Sequence, residues 1–299
     1  MIEATPAILL ALALLLTGPV PDVLGRARWT SRTPRAALAL WQAVALAAVL
    51  SALGAGASAG TLVITHPQPG SALVVLHGLA LLLTLVVLAR LLWSAHTLGV
   101  SLRARRRRQR ELIDLVGRVD ERVPGARIVD VDRPLAYCIP GMPPRVVVST
   151  PAVDALGADE LKAVLEHERA HARARHDLVL EGFSVLHNAF PRFVRSRTAL
   201  EATAGLVEML ADDAAWHRTG EVPLARALVR MADAPVPAGS LGTGVVTPAA
   251  RIRRLGELDA GESRLTAGLA YAAAAALVVV PTLTVALPWL TSVLDAVSP

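Results

Sequence analysis

One cysteine, Cys138, stands in 299 residues. An internal disulfide is therefore impossible, as is a zinc site built from several thiolates, and a reducing compartment is permitted. Aromatic residues make up only 3%, and none interrupts the densest arginine run, Arg103–Arg110. That speaks against a nucleic-acid surface, where stacking rings alternate with basic side chains. The loop Gly60–Ser71 holds no Lys or Arg. Charged residues are few, at 18%, and mean hydropathy is +0.50. The chain is too apolar for one soluble domain and too polar for a channel-like bundle. Apolar spans around a soluble insert fit both figures.

Four apolar segments supply the spans, at about 2–20, 36–59, 72–93 and 265–290. Each approaches the roughly 20 residues that a helix needs to cross the hydrocarbon layer. The first has an alternative reading as a cleaved leader. Glu3 is its only early charge and no basic start precedes it, so a retained span is the expectation. Arginine dominates lysine, and its distribution sets an orientation. Arg26, Arg28, Arg32 and Arg35 follow the first segment; Arg90 and the Arg103–Arg110 run follow the third; Arg251, Arg253, Arg254 and Arg264 precede the fourth. Basic loops stay cytoplasmic. The expectation is an N-terminus outside, residues 103–262 as a cytoplasmic domain, and a short extracellular tail within 263–299. The Arg103–Arg110 run then reads as a contact with anionic lipid.

Within the insert, Glu111–Val119 reads as a short helix, and 127–131, 136–140 and 145–149 as strands. Thr150-Pro151 opens a helix, with Thr as cap and Pro at its first position. Asp159-Glu160 starts the next one, whose buried stripe is Leu161, Val164 and Leu165. Further helices are expected over Leu178–Phe190 and Thr198–Trp216. The fold class is a mostly α membrane protein: four transmembrane helices with an α+β, zincin-like domain of a small edge sheet and one central helix.

That central helix carries His167-Glu168-Arg169-Ala170-His171, an HExxH sequence. Residues four apart share a helix face. His167 and His171 can aim two imidazoles at one Zn2+, with Glu168 beside them as general base. Such a short motif also arises by chance, but here it falls on a helix and has acids downstream. Catalytic zinc takes a third protein ligand, and Glu208 is the candidate; Asp212, one turn on, would hold the outer nitrogen of a ligand histidine. Asp177 and Asp213 lie close in sequence without a defined role. Cys138 reads as a small buried strand residue. His176 and His187 read as core-edge residues or outer partners. His217 either reaches the site as an oxyanion donor or stays exposed.

These stretches resemble the BlaR/MecR-type integral-membrane zinc metallopeptidases, related to the HtpX and CAAX-prenyl-protease group. The likeness rests on Ala136-Tyr137-Cys138-Ile139-Pro140-Gly141, Val146–Thr150, Glu166–His171 through His176-Asp177, Glu208–Asp213, and Pro248 with Arg251–Leu255. Three spans before the domain and one after it also match. The resemblance implies that the strand Ala136, Tyr137, Cys138, Ile139 pairs with an extended substrate. It implies a zinc endopeptidase that cuts a cytosolic winged-helix repressor of the BlaI/MecI type, with no direct nucleic-acid contact. An HtpX-like quality-control protease and a zinc-bound but non-proteolytic signalling protein are the alternatives. BlaR/MecR sensors carry a large extracellular drug-binding domain after the last span. About nine residues follow Leu290 here, so direct β-lactam sensing by this chain is not expected.

Overall fold

A computed structural model describes residues 4–65, 70–190, 196–232, 246–257 and 264–297. Helix α1 (Thr5–Thr17) stops at Gly18, and α2 (Pro19–Gly25) resumes almost at once. A 3-10 turn at Arg28–Ser31 leads to α3 (Pro34–Thr65) and α4 (Ser71–Val116). Among the described residues, four helical stretches are long and apolar enough to cross a membrane: Thr5–Gly25, Pro34–Thr61, Ser71–Val116 and Arg264–Asp295. They coincide with the four apolar segments read from the sequence.

Helix α4 differs from the expectation of a span followed by a separate short helix. It runs unbroken for 46 residues, about 69 Å at 1.5 Å per residue. Its second half is rich in arginine, a good helix former, and contains no proline, so nothing interrupts the first half's helix. The outer face of its first half exposes Leu79, Leu82, Leu83, Leu85 and Val86. An apolar band of that size is unfavourable in water and suits a lipid surface. Helix α4 packs closely on α3 at Gly56: a Cβ placed there would lie 1.5 Å from Thr84 Oγ1. Only a residue without a side chain admits that approach.

The domain begins with a three-stranded sheet in the order β1-β3-β2 (Ala126–Val129, Arg145–Ser149, Ala136–Ile139). Strand β3 pairs parallel with β1 and antiparallel with β2, with Tyr137 opposite Val147 and Cys138 opposite Val146. The cap of α5 (Thr150–Ala155) is Ser149 rather than Thr150: the Ser149 hydroxyl accepts from the Ala152 N–H at 3.3 Å. Thr150 is already helical, and its hydroxyl bonds Asp130. Helix α6 (Ala158–Ala174) lies on the sheet, and Leu161 and Leu165 join Ile128, Val146 and Val148 in the core, with Val164 half-buried against it. Then come α7 (His176–Ala189), α8 (Arg197–Thr219), α9 (Glu221–Arg230) and α10 (Pro248–Leu255).

A second core fuses domain and spans. Trp41 of α3 packs with Phe183 of α7 and Val207 of α8. The last apolar stretch comprises α11 (Arg264–Pro281), a π turn at Thr282–Ala286 and α12 (Leu287–Val297). It runs past the expected end at 290. Pro281 and Pro288 each lack an N–H, and the widened turn between them accommodates the lost helical bonds.

Candidate metal centre

Helix α6 starts on an acidic turn, where the Glu160 carboxylate accepts the Gly157 N–H at 3.0 Å. Two and three turns later it presents His167 and His171 on one face. Helix α8, packed against α6, presents Glu208 and Asp212 on the facing side. Ligand atoms of His167, His171 and Glu208 lie within 4.8 Å of one another, and all three residues are buried. The two Nε2 atoms approach to 3.1 Å. Glu208 Oε2 is 3.5 Å from His167 Nε2, and Glu208 Oε1 is 3.6 Å from His171 Nε2.

The outer nitrogens are held as well. His167 Nδ1 lies 3.1 Å from Asp212 Oδ1, and His171 Nδ1 lies 3.1 Å from His176 Nδ1. With both Nδ1 atoms protonated and donating outward, both Nε2 lone pairs point at the same small volume. The carboxylate of Glu208 faces that volume, and its Oε1 is buried with no hydrogen-bond partner among the described residues. Two inward lone pairs and an orphaned carboxylate oxygen form a donor set that fits a divalent metal of zinc type. His176 reaches this position because Arg175 takes a left-handed conformation, φ 51°, and turns the chain straight from α6 into α7.

Burial and charge act against each other here. Burial alone would lower the His167 imidazole, but the hydrogen-bonded carboxylates of Asp212 and Glu208 reverse that and lift it to about 10. In the metal-free chain a proton thus supplies the positive charge. Burial, reinforced by the charge on His167, pushes His171 down to about 3. Burial pushes His176 down to about 4. Burial raises Glu168 to about 7, at the top of the carboxylate range. Burial also opposes the charge on Glu208, yet its bond to His167 and the nearby cations hold it down at about 2.

The strand residues Ala136, Tyr137, Cys138 and Ile139 form β2, an edge of the sheet among the described residues, packed beside α6. Cys138 is buried, and burial pushes its thiol up to about 12, so it stays protonated. Asp177 is buried at the start of α7 and meets Arg106 and Arg175, and Asp213 meets Arg254. His187 and His217 stand apart from the cluster. His217 is exposed and packs edge-on against Trp216. His187 lines an apolar cavity of about 220 Å³ between the spans and α7.

One residue has a place at the site that the sequence does not assign. Arg251, which the sequence places in a basic flank and in one of the stretches that carry the likeness, is half-buried against the site. Its Nε donates to Asp212 Oδ2 at 2.7 Å, its Nη2 to Asp212 Oδ1, and its Nη1 lies 3.3 Å from Glu208 Oε2. The available signal was local: Thr247-Pro248 starts a helix, and Arg251 and Arg254 are three apart on it, facing Asp212 and Asp213.

No curated protein and no solved structure matches the chain. The model described as peptidase family M48 matches residues 101–234, a stretch that begins on α4 and takes in the sheet, the HExxH helix and Glu208. The likeness to membrane metallopeptidases that the motifs carry is borne out at that level: over residues 101–234 the chain is similar to peptidase family M48.

Proposed function

We propose that this chain is an integral-membrane, zinc-dependent endopeptidase. The observation that carries the reading is the buried group of His167, His171 and Glu208 inside the segment matched by the peptidase family. His167, His171 and Glu208 would hold the zinc. When bound, zinc supplies Lewis acidity toward a water and a scissile carbonyl. Glu168 takes the proton of the attacking water and returns it to the leaving amine. Its burial supports that role, since a carboxylate raised to about 7 exchanges protons near neutral pH. Asp212 and His176 fix the tautomers of His167 and His171. Strand β2 offers its outer edge to an extended peptide, which would add as a further strand.

The basic flanks support a cytoplasmic domain with both chain ends outside. A soluble repressor of the winged-helix type is then reachable, and the resemblance favours that substrate. The second reading is quality control of membrane proteins. One observation favours it: α4 runs without a break from its apolar half into the domain, and so ties the domain to the spans.

The test uses the full-length chain in detergent or nanodiscs. Wild type is expected to hold about one zinc per chain and to cut a protein substrate. Glu168→Gln is expected to keep zinc and lose cleavage. Loss of zinc in Glu168→Gln, with Glu208→Gln harmless, would reverse the roles. Cleavage of co-expressed winged-helix repressors separates the signalling reading from degradation of misfolded membrane proteins.

A further inference from the structure

Helix α10 lies outside the matched segment and contributes two arginines to two successive acids of α8. Arg254 anchors: it grips Asp213 through Nη1 and Nη2 and donates its Nε to the Ser31 carbonyl at 2.6 Å. Arg251 reaches further in. Its fork covers both oxygens of Asp212, and its remaining nitrogen meets Glu208 Oε2. The Glu208 carboxylate is thereby divided. Oε2 faces Arg251 and His167, while Oε1 faces His171 and has no hydrogen-bond partner among the described residues.

We propose that Arg251 is a positioning residue of the metal centre, holding Asp212 and one oxygen of Glu208 so that Glu208 Oε1 is the oxygen left for the metal. The inference rests on the reading of His167, His171 and Glu208 as a metal site.

The physical case begins with repulsion. Asp212 and Glu208 sit one turn apart on α8, both buried. Two buried carboxylates facing one volume repel each other, and one would protonate or swing away unless a cation lies between them. A guanidinium suits the task, because its planar fork matches one carboxylate and leaves a donor for another. A cation so near a dication would itself be repelled. Here both oxygens of Asp212 bond it, so its charge reaches the metal position largely cancelled. Its directional bonds then matter more than its charge.

The probe is cobalt(II), whose visible d–d absorption reports ligand number and geometry, with zinc affinity measured by chelator competition. Wild type, Arg251→Met, Arg251→Lys and Arg254→Lys are compared as full-length protein, and circular dichroism checks folding. Wild type is expected to bind cobalt. Arg251→Met is expected to alter the d–d spectrum, as Glu208 turns to a different binding mode, and to weaken zinc about 10- to 100-fold. Arg251→Lys keeps the charge without the fork and is expected to show the altered spectrum with a smaller loss of affinity. Arg254→Lys is expected to keep the wild-type spectrum. If Arg251→Met does not fold, Arg251→Lys decides by its spectrum. Wild-type spectrum and affinity in the folded Arg251 variants would overturn the positioning role and leave the metal site intact. Failure of wild type to bind either metal would overturn the metal-site reading itself.

Discussion

Asp212 Oδ1 lies 3.1 Å from His167 Nδ1, across the ring from the Nε2 atom that meets His171. Asp212 is 1% exposed, so water does not compete for that contact. The carboxylate sets which nitrogen of His167 carries the proton and leaves Nε2 free to bind. Asp212→Asn preserves the shape and removes the charge. It is expected to weaken zinc about 10- to 100-fold, read by chelator competition. Affinity equal to wild type would mean that His167 needs no outer partner.

The metal-stripped protein is expected to be most stable near pH 6.5. His171 and His176, lowered to about 3 and about 4, stay neutral in the folded chain while the unfolded chain takes up protons below 6.5. Stability from these two is lost as pH falls. Glu168, raised to about 7, keeps a proton that the unfolded chain releases above 4.5, and offsets one of them. One net proton remains, a slope of about 1.4 kcal/mol per pH unit on the acid side. His167, raised to about 10, stabilises below 6.5 and loses that contribution as pH climbs toward 10. Thermal melts of chelator-treated protein from pH 4.5 to 9 check this. A midpoint that rises steadily with pH would contradict the charge on His167.

The arginines of the 103–110 run are expected to differ sharply. Arg106 reaches Asp177, which is 2% exposed, and Glu181, and so ties α4 to α7. Arg106→Ala leaves Asp177 short of a partner and is expected to cost about 1–3 kcal/mol. Arg107 is 83% exposed and pairs with Glu111 one turn away. Its alanine variant is expected to be close to neutral. Equal melting temperatures for the two variants would show that the run acts only through its total charge.

The basic flanks lead to an expected sidedness. A reporter fused after Gly70 is expected outside and one fused after Gly117, at the end of α4, inside. Both carry the same topology, so the reversed pair of signals would invert the orientation of the whole chain.

What the sequence determined by itself is local. Four apolar stretches, a helix with two histidines four apart, and strands read at 136–140 and 145–149 are each written in consecutive residues. Hydrophobic period, length and turn residues suffice to read them. Glu208 and Asp212 were also legible, because a pair four apart on a helix shares a face wherever that helix goes. What only the tertiary structure decided is which distant groups meet. Arg251 bonds Asp212 across 39 positions of chain, Arg254 bonds Asp213 and the Ser31 carbonyl, and Arg106 joins α4 to α7. In the sequence, Arg251 stands in a basic flank and in a stretch that carries the likeness, but charge alone does not tell a solvated side chain from one packed on a carboxylate. The fold tells them apart: packing α6, α8 and α10 together removes water, and a buried carboxylate left without water must find a cation.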